Sequence, residues 1–298
     1  MFFILVLFFI APCLYAQEQA VSQQDKESDQ QISEFSLGGY GQKGKKTWDI
    51  AGRSADIFDN VIKLKDVVAN MYGDKEDIKL TAEKGDFDKA EGKVHVEQNV
   101  VITTSTGSKL TTDSLDWDRK KQQVSTNDVV NIVRDNMVTV AKGAIGQPDL
   151  SKVKFEKDVQ VNIDPKQEPG KKSDGKNKII IICDGPLEID YGKNIATFKN
   201  NVKVDTQDNT MYSDIMDVYF LAADKTKPAV EASSANMNMM GTSIDKIIAR
   251  GNVKIIQGEN ITYAQEAQYT ALDKKIVLTG RPKLVIYSTE GLSASFGN

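Results

Sequence analysis

Few side chains in this chain are of the kind that make or break bonds. His95 is the one histidine, and a single imidazole completes neither a metal site nor a catalytic triad. Asp113, Asp116 and Asp118 crowd around Trp117, a pattern open to glycoside chemistry or calcium binding. No spaced ligand loop or second acid follows, so solvation of a turn and a strand edge is the plainer reading. Lys171, Lys172, Lys176 and Lys178 could meet phosphate groups, yet a solvated linker accounts for them as well. No HExxH, GxSxG, CxxC or glycine-rich phosphate loop occurs. The expectation is a protein that is not an enzyme, with no catalytic residue, no metal and no cofactor.

The elements around these residues set the frame. The chain has 298 residues, enough for one large or two ordinary domains. Its 38 basic and 42 acidic side chains nearly balance, which argues against nucleic acid as a partner. Residues 1–16, MFFILVLFFIAPCLYA, carry no charge and read as an export signal cleaved after Ala16. Ile10-Ala11-Pro12-Cys13 approximates a lipid-attachment site, with Pro12 where a small flexible residue is wanted. Cleavage leaves Cys183 as the one cysteine, so no internal disulfide can form. Residues 17–46 are polar and glycine-rich and read as a flexible tether. Residues 164–178, DPKQEPGKKSDGKNK, read as a linker between a domain at 47–163 and a second at 179–298.

Between these interruptions apolar and polar residues alternate, which predicts strands. The alternation has a fixed layout. Adding 30 to Leu80, Ala82, Gly85, Phe87, Val94, Val96, Val100 and Ile102 gives Leu110, Thr112, Leu115, Trp117, Val124, Thr126, Val130 and Ile132, all apolar or small. A third copy is read at Val138, Val140, Gly143, Ile145, Val153, Phe155, Val159 and Val161, and a fourth at Ile180, Ile182, Gly185, Leu187, Ile195, Thr197, Val202 and Val204. The fifth runs through Met211, Ser213, Met216, Val218, Ile247, Ala249, Val253 and Ile255, interrupted by an insertion at 221–246. The sixth runs through Thr262, Ala264, Ala267, Tyr269, Ile276, Leu278, Leu284 and Ile286. Repeats of this length imply stacked supersecondary units. Within each strand one face is apolar, and Lys93, His95, Lys203 and Lys254 point to the other. Met237, Met239 and Met240, in the insertion, fit either an apolar lip or a loop packed on the sheet.

The segments LTAEKGDFD, GSKLTTDSLDWD, VSTNDVVNI, AKGAIGQPDL and VKFEKDVQVNI resemble the periplasmic LptC component of lipopolysaccharide export. The segments ATFKNNVKVD, MYSDIMDVYF, IIARGNVKII and EAQYTALDKKIVLTGRPKL resemble LptA, the OstA-like bridge component. The resemblance covers most of the mature chain and rests on a repeated pattern. It implies an all-β protein of two OstA-like β-jellyroll domains, each a folded antiparallel sheet, located in the periplasm. It further implies a groove shielding the lipid A acyl chains of lipopolysaccharide, and as partners the inner-membrane Lpt transporter and the outer-membrane Lpt translocon. The groove would be lined by Leu110, Leu115, Trp117, Val124, Val130, Ile132, Val202, Val204, Met216, Val218, Val253, Ile255, Tyr269 and Leu278. One departure is the short N-terminal apolar segment, which the family keeps as a membrane helix. If retained here it would tether the chain to the inner membrane.

The physics supports such a carrier. Each acyl methylene moved from water into an apolar trough is worth about 0.8 kcal/mol, so a chain of about fourteen carbons contributes on the order of 10 kcal/mol before ordering costs. An open sheet also leaves unpaired strand edges, which favours head-to-tail self-association. Two other readings compete: a secreted β-solenoid that binds or cleaves polysaccharide, and a structural surface fibre.

Overall fold

The computed structural model of the chain describes residues 28–41, 44–73, 76–118, 120–134, 136–148, 151–164, 178–221, 238–239, 242–273 and 275–286. The expected signal segment, Lys171, Lys172, Lys176, Met237 and Met240 lie outside them. Within them the protein is all-β. The first nine strands are β1 (Gln30–Tyr40), β2 (Lys46–Phe58), β3 (Val61–Tyr72), β4 (Asp77–Asp88), β5 (Lys93–Thr104), β6 (Lys109–Asp118), β7 (Gln123–Arg134), β8 (Met137–Gly146) and β9 (Lys152–Ile163). Then come β10 (Ile179–Cys183), β11 (Leu187–Asp190), β12 (Ile195–Asp205), β13 (Asn209–Phe220), β14 (Asn238–Met239), β15 (Thr242–Gln257), β16 (Asn260–Thr270), β17 (Lys275–Thr279) and β18 (Lys283–Val285).

The strands form one antiparallel sheet in which neighbours in sequence are mostly neighbours in space. Short turns explain this, since two antiparallel strands need only a few residues to reverse. β10 and β11 share one place, both lying between β9 and β12. Similarly, β17 and β18 share a place along β16. The expected 164–178 linker therefore joins two strands of the same sheet, and the main core runs from Ala82 to Ile244 across that point. Part of the expected tether is ordered: Gln30–Tyr40 pairs with β2, with Phe35 packed against Ala55, Leu64 and Val67.

The sheet is creased along a line crossing the middle of its strands. Register shifts recur there, at Thr81/Lys84, Glu97/Val100, Thr126/Val129, Lys199/Val202, Tyr212/Ile215 and Arg250/Val253. Left-handed backbone recurs there too, at Gln98, Asn99, Asp158, Asn200, Asn201 and Asn252. Asn and Asp tolerate this conformation best among residues with a Cβ. Gly251, at φ +75, is required for a second reason: a Cβ there would meet the Asp214 carboxylate at 2.3 Å. Local bonds brace the bend, with Asn201 Nδ2 donating to Asp184 Oδ2 at 2.5 Å and Asn252 Nδ2 to Asp214 Oδ2 at 2.9 Å. Each bulge bends its strand, and stacking the bulges folds the whole sheet.

Candidate functional site: the inner face of the folded sheet

The fold brings one face of every strand inside. Along the crease the inside column reads Val67, Ala82, Val100, Thr112, Val130, Ala141, Val159, Cys183, Val202, Ser213, Val253 and Ala264, all buried. A valine on one strand faces a small residue on the next, as the pairs Val67↔Ala82, Val100↔Thr112, Val130↔Ala141, Val202↔Ser213 and Val253↔Ala264 show. Large against small lets side chains interdigitate where the two halves of each strand come closest. The crease is thus filled by the protein itself. Burial pushes the Cys183 thiol pKa up, so it behaves there as a small apolar residue.

Seven of the expected groove residues, Leu110, Leu115, Val130, Val202, Met216, Val218 and Val253, lie in this buried interior. Val124, Ile132, Val204, Ile255 and Leu278 pack against it while partly exposed. Trp117 and Tyr269 are also half-buried, nearer the strand ends. The inner surface is therefore closed at its depth and partly open towards two rims. One rim lies at the strand ends Asp118, Gly146 and Asp190, the other at Thr104, Arg134 and Ile163.

Two copies of the repeat are a residue out in their first halves. Met137, Thr139 and Ala141 are the inner residues of β8, and Ile179, Ile181 and Cys183 those of β10. Val138 and Val140 face outward, as does Ile182 at 38% exposure. In the fourth copy Ala196 and Phe198, both fully buried, replace Ile195 and Thr197. β-branched residues on both faces hide the alternation, and the inner Ala and Thr do not announce themselves as core.

Two inner residues escape the repeat altogether. β7 continues inward from Val130 and Ile132 to Arg134, and β11 from Leu187 and Ile189 to Tyr191. The Arg134 guanidinium lies 5.0 Å from the Tyr191 ring centroid, bridging the two rims. Phe220 meets the same ring edge-on at 6.5 Å. Burial pushes the Tyr191 pKa up, and Arg134 opposes that shift. Arg134 was legible in sequence as the next alternate position after Ile132; its partner across the fold was not.

The polar candidates find local roles. Asp116 Oδ1 accepts a hydrogen bond from His95 Nδ1 at 2.7 Å on the outer face. Asp118 accepts the Lys121 backbone N–H at 3.0 Å, which lowers its pKa. Asp113 is exposed near the crease. Among the described residues no cluster of three or more His, Cys, Asp or Glu could hold a metal ion. No helix among them is long and apolar enough to cross a membrane. A separate outer-face groove of about 540 Å³ is lined by Lys121, Ile145, Lys154, Glu188, Ile195 and Thr197 among others, and includes none of the expected groove residues. Three of its four lysines are ion-paired, Lys121 with Asp118 at 3.4 Å, Lys152 with Asp190 at 3.4 Å and Lys154 with Glu156 at 3.6 Å.

A single antiparallel sheet, creased along its middle so that an apolar face closes on itself, defines the folded-sheet β-jellyroll class. The chain belongs to the LptC-related lipopolysaccharide-assembly family, whose model matches residues 1–164. Residues 186–295 match the family of LptA and the LptD N-terminal domain, lipopolysaccharide transport proteins. No curated protein matches the chain. The two matched stretches lie on either side of residues 165–185, so an LptC-like half and an LptA-like half are fused in one chain and continue one sheet.

Proposed function

We propose that the protein is a periplasmic bridge component that shields the acyl chains of lipopolysaccharide between the halves of its folded sheet during passage to the outer membrane. The observation that carries this reading is the inner surface of β3–β13, β15 and β16: a mainly apolar column on each strand, closed at the crease and partly exposed toward the rims. The buried residues Leu110, Leu115, Val130, Val202, Met216, Val218 and Val253 form the floor. Trp117, Val124, Ile132, Val204, Ile255, Tyr269 and Leu278 meet hydrocarbon once the rims part. The chemistry required is burial alone, about 0.8 kcal/mol per methylene.

The sheet's ends suit a bridge. Among the described residues β1 pairs only with β2, and Leu37 and Tyr40 on it are exposed. At the far end Ile276 and Leu284 are exposed on β17 and β18. Strand addition there would join the chain to the inner-membrane transporter, to the outer-membrane translocon or to another copy.

Photocrosslinking residues at Trp117, Ile132 and Ile255, with Lys203 on the outer face as control, test the reading on incubation with lipopolysaccharide. Adducts at the three inner positions and none at Lys203 are expected. Adducts at Lys203 alone, or at no position, would sink it.

A further inference from the structure

Arg134 is an anomaly on the inner face. The inward positions of β7 and its neighbours run Leu110, Thr112, Leu115 and Trp117 on β6, Val124, Thr126, Val130 and Ile132 on β7, and Met137, Thr139, Ala141 and Ala144 on β8. Among them Arg134 alone is charged, and it stands at the rim end of its column. Among the described residues no carboxylate forms an ion pair with it; its contact is the face of Tyr191 on the opposite rim. Tyr191 in turn is steadied by Phe220, edge-on at 6.5 Å.

We propose that Arg134 and Tyr191 form a latch across the mouth of the slot, and that a phosphorylated lipid headgroup opens it by drawing the guanidinium off the ring. The inference rests on the slot being a lipid site. A half-buried guanidinium over an aromatic ring holds a contact that phosphate can outcompete, because phosphate offers charge and paired acceptor oxygens in the geometry of the guanidinium fork. The acyl chains of the same molecule then enter where the Tyr191 ring had closed the gap. The pair thus couples headgroup charge to admission of hydrocarbon, which selects phosphorylated amphiphiles over neutral ones of the same chain length.

The test uses the full chain with Trp48→Phe, so that Trp117 alone reports, and two probes with identical brominated acyl chains, a phosphatidic acid and a diacylglycerol, in mixed micelles. Quenching of Trp117 reads entry of the chains. The phosphatidic acid should bind at least about tenfold more tightly than the diacylglycerol. Arg134→Met should abolish that preference, and Arg134→Lys should restore part of it. Tyr191→Ala should speed entry of the neutral probe, while Tyr191→Phe, which keeps the ring, should not. Unchanged thermal unfolding confirms that each variant is folded. A phosphate preference that survives Arg134→Met, or neutral-lipid entry indifferent to Tyr191→Ala, overturns the latch and leaves the slot standing. Absence of quenching by either probe in every variant overturns both.

Discussion

Arg134 and Tyr191 touch at 5.0 Å although they lie at opposite ends of the strand direction. Tyr191 sits beside Ser151, level with the start of β7, through a 2.9 Å backbone hydrogen bond. Arg134 ends that strand, whose 12 residues would span about 36 Å if the sheet were flat. The contact exists because the sheet is folded, and it measures how far the two rims approach. Four further expectations follow from the same geometry.

The valine and small-residue alternation at the crease should be sensitive in both directions. Val130→Ala removes two buried methyls from a site with no exposure and should cost about 2–3 kcal/mol. Ala141→Leu, directly opposite it, overfills the same layer and should cost about 1–3 kcal/mol. Urea unfolding of the single variants measures both costs. Combining Val130→Ala with Ala141→Val should recover part of the loss if the two residues share one volume.

Asn201 is held at φ 52 and bonded to Asp184. Asn201→Val places a β-branched residue in left-handed backbone and should destabilise by about 1–2 kcal/mol, whereas Asn201→Gly should be close to neutral. If valine and glycine behave alike in denaturant titrations, backbone strain is not what selects Asn here.

Asp217 is buried on the outer face, accepting from Thr197 Oγ1 at 2.7 Å and paired with Arg250. Arg250→Met leaves that carboxylate without its counter-charge and should cost about 1–3 kcal/mol, given that Arg250 is itself half-exposed. Adding Asp217→Asn should return part of the stability. A double-mutant cycle in urea reads the coupling; strict additivity would show that the pair is incidental.

Asp49 ties β2 to β3 next to the edge strand β1. Its pKa is lowered from 3.8 to about 2, first by the Lys46 ammonium and then by hydrogen bonds from Asn70 and Tyr72. The partners lie at 2.6, 2.7 and 2.7 Å. A depressed carboxylate stabilises the fold above its ordinary pKa and loses that contribution as pH falls through the folded value. The difference in urea midpoint between the natural chain and Asp49→Asn should therefore be constant above pH 3.8 and shrink as pH approaches 2. A difference that grows on acidification would contradict the sign.

Much was legible before any coordinates. Alternation with period two gave strands, and spacing near 30 residues gave their stacking, because the pleat and a short turn leave a direct imprint on composition. The fourteen expected groove residues all fall on the inner face. The crease has a sequence signal as well, the polar pairs Gln98-Asn99, Asn200-Asn201 and Gly251-Asn252 interrupting otherwise regular strands, but the alternation and repeat spacing alone do not single them out as a fold line. The inner positions of β10 were misread because isoleucines occupy both of its faces, and those of β8 because its valines face outward while Met137, Thr139 and Ala141 face in.

By itself, then, the chain's order of residues determined that it forms strands in a repeated layout and that one face of them is apolar, since these depend on local periodicity. Only the tertiary structure decided how deeply that face is closed, that the linker is spanned by a continuous sheet, and that Arg134 meets Tyr191. Those outcomes depend on the sum of small bends at many separate bulges, and no single stretch of sequence carries that sum.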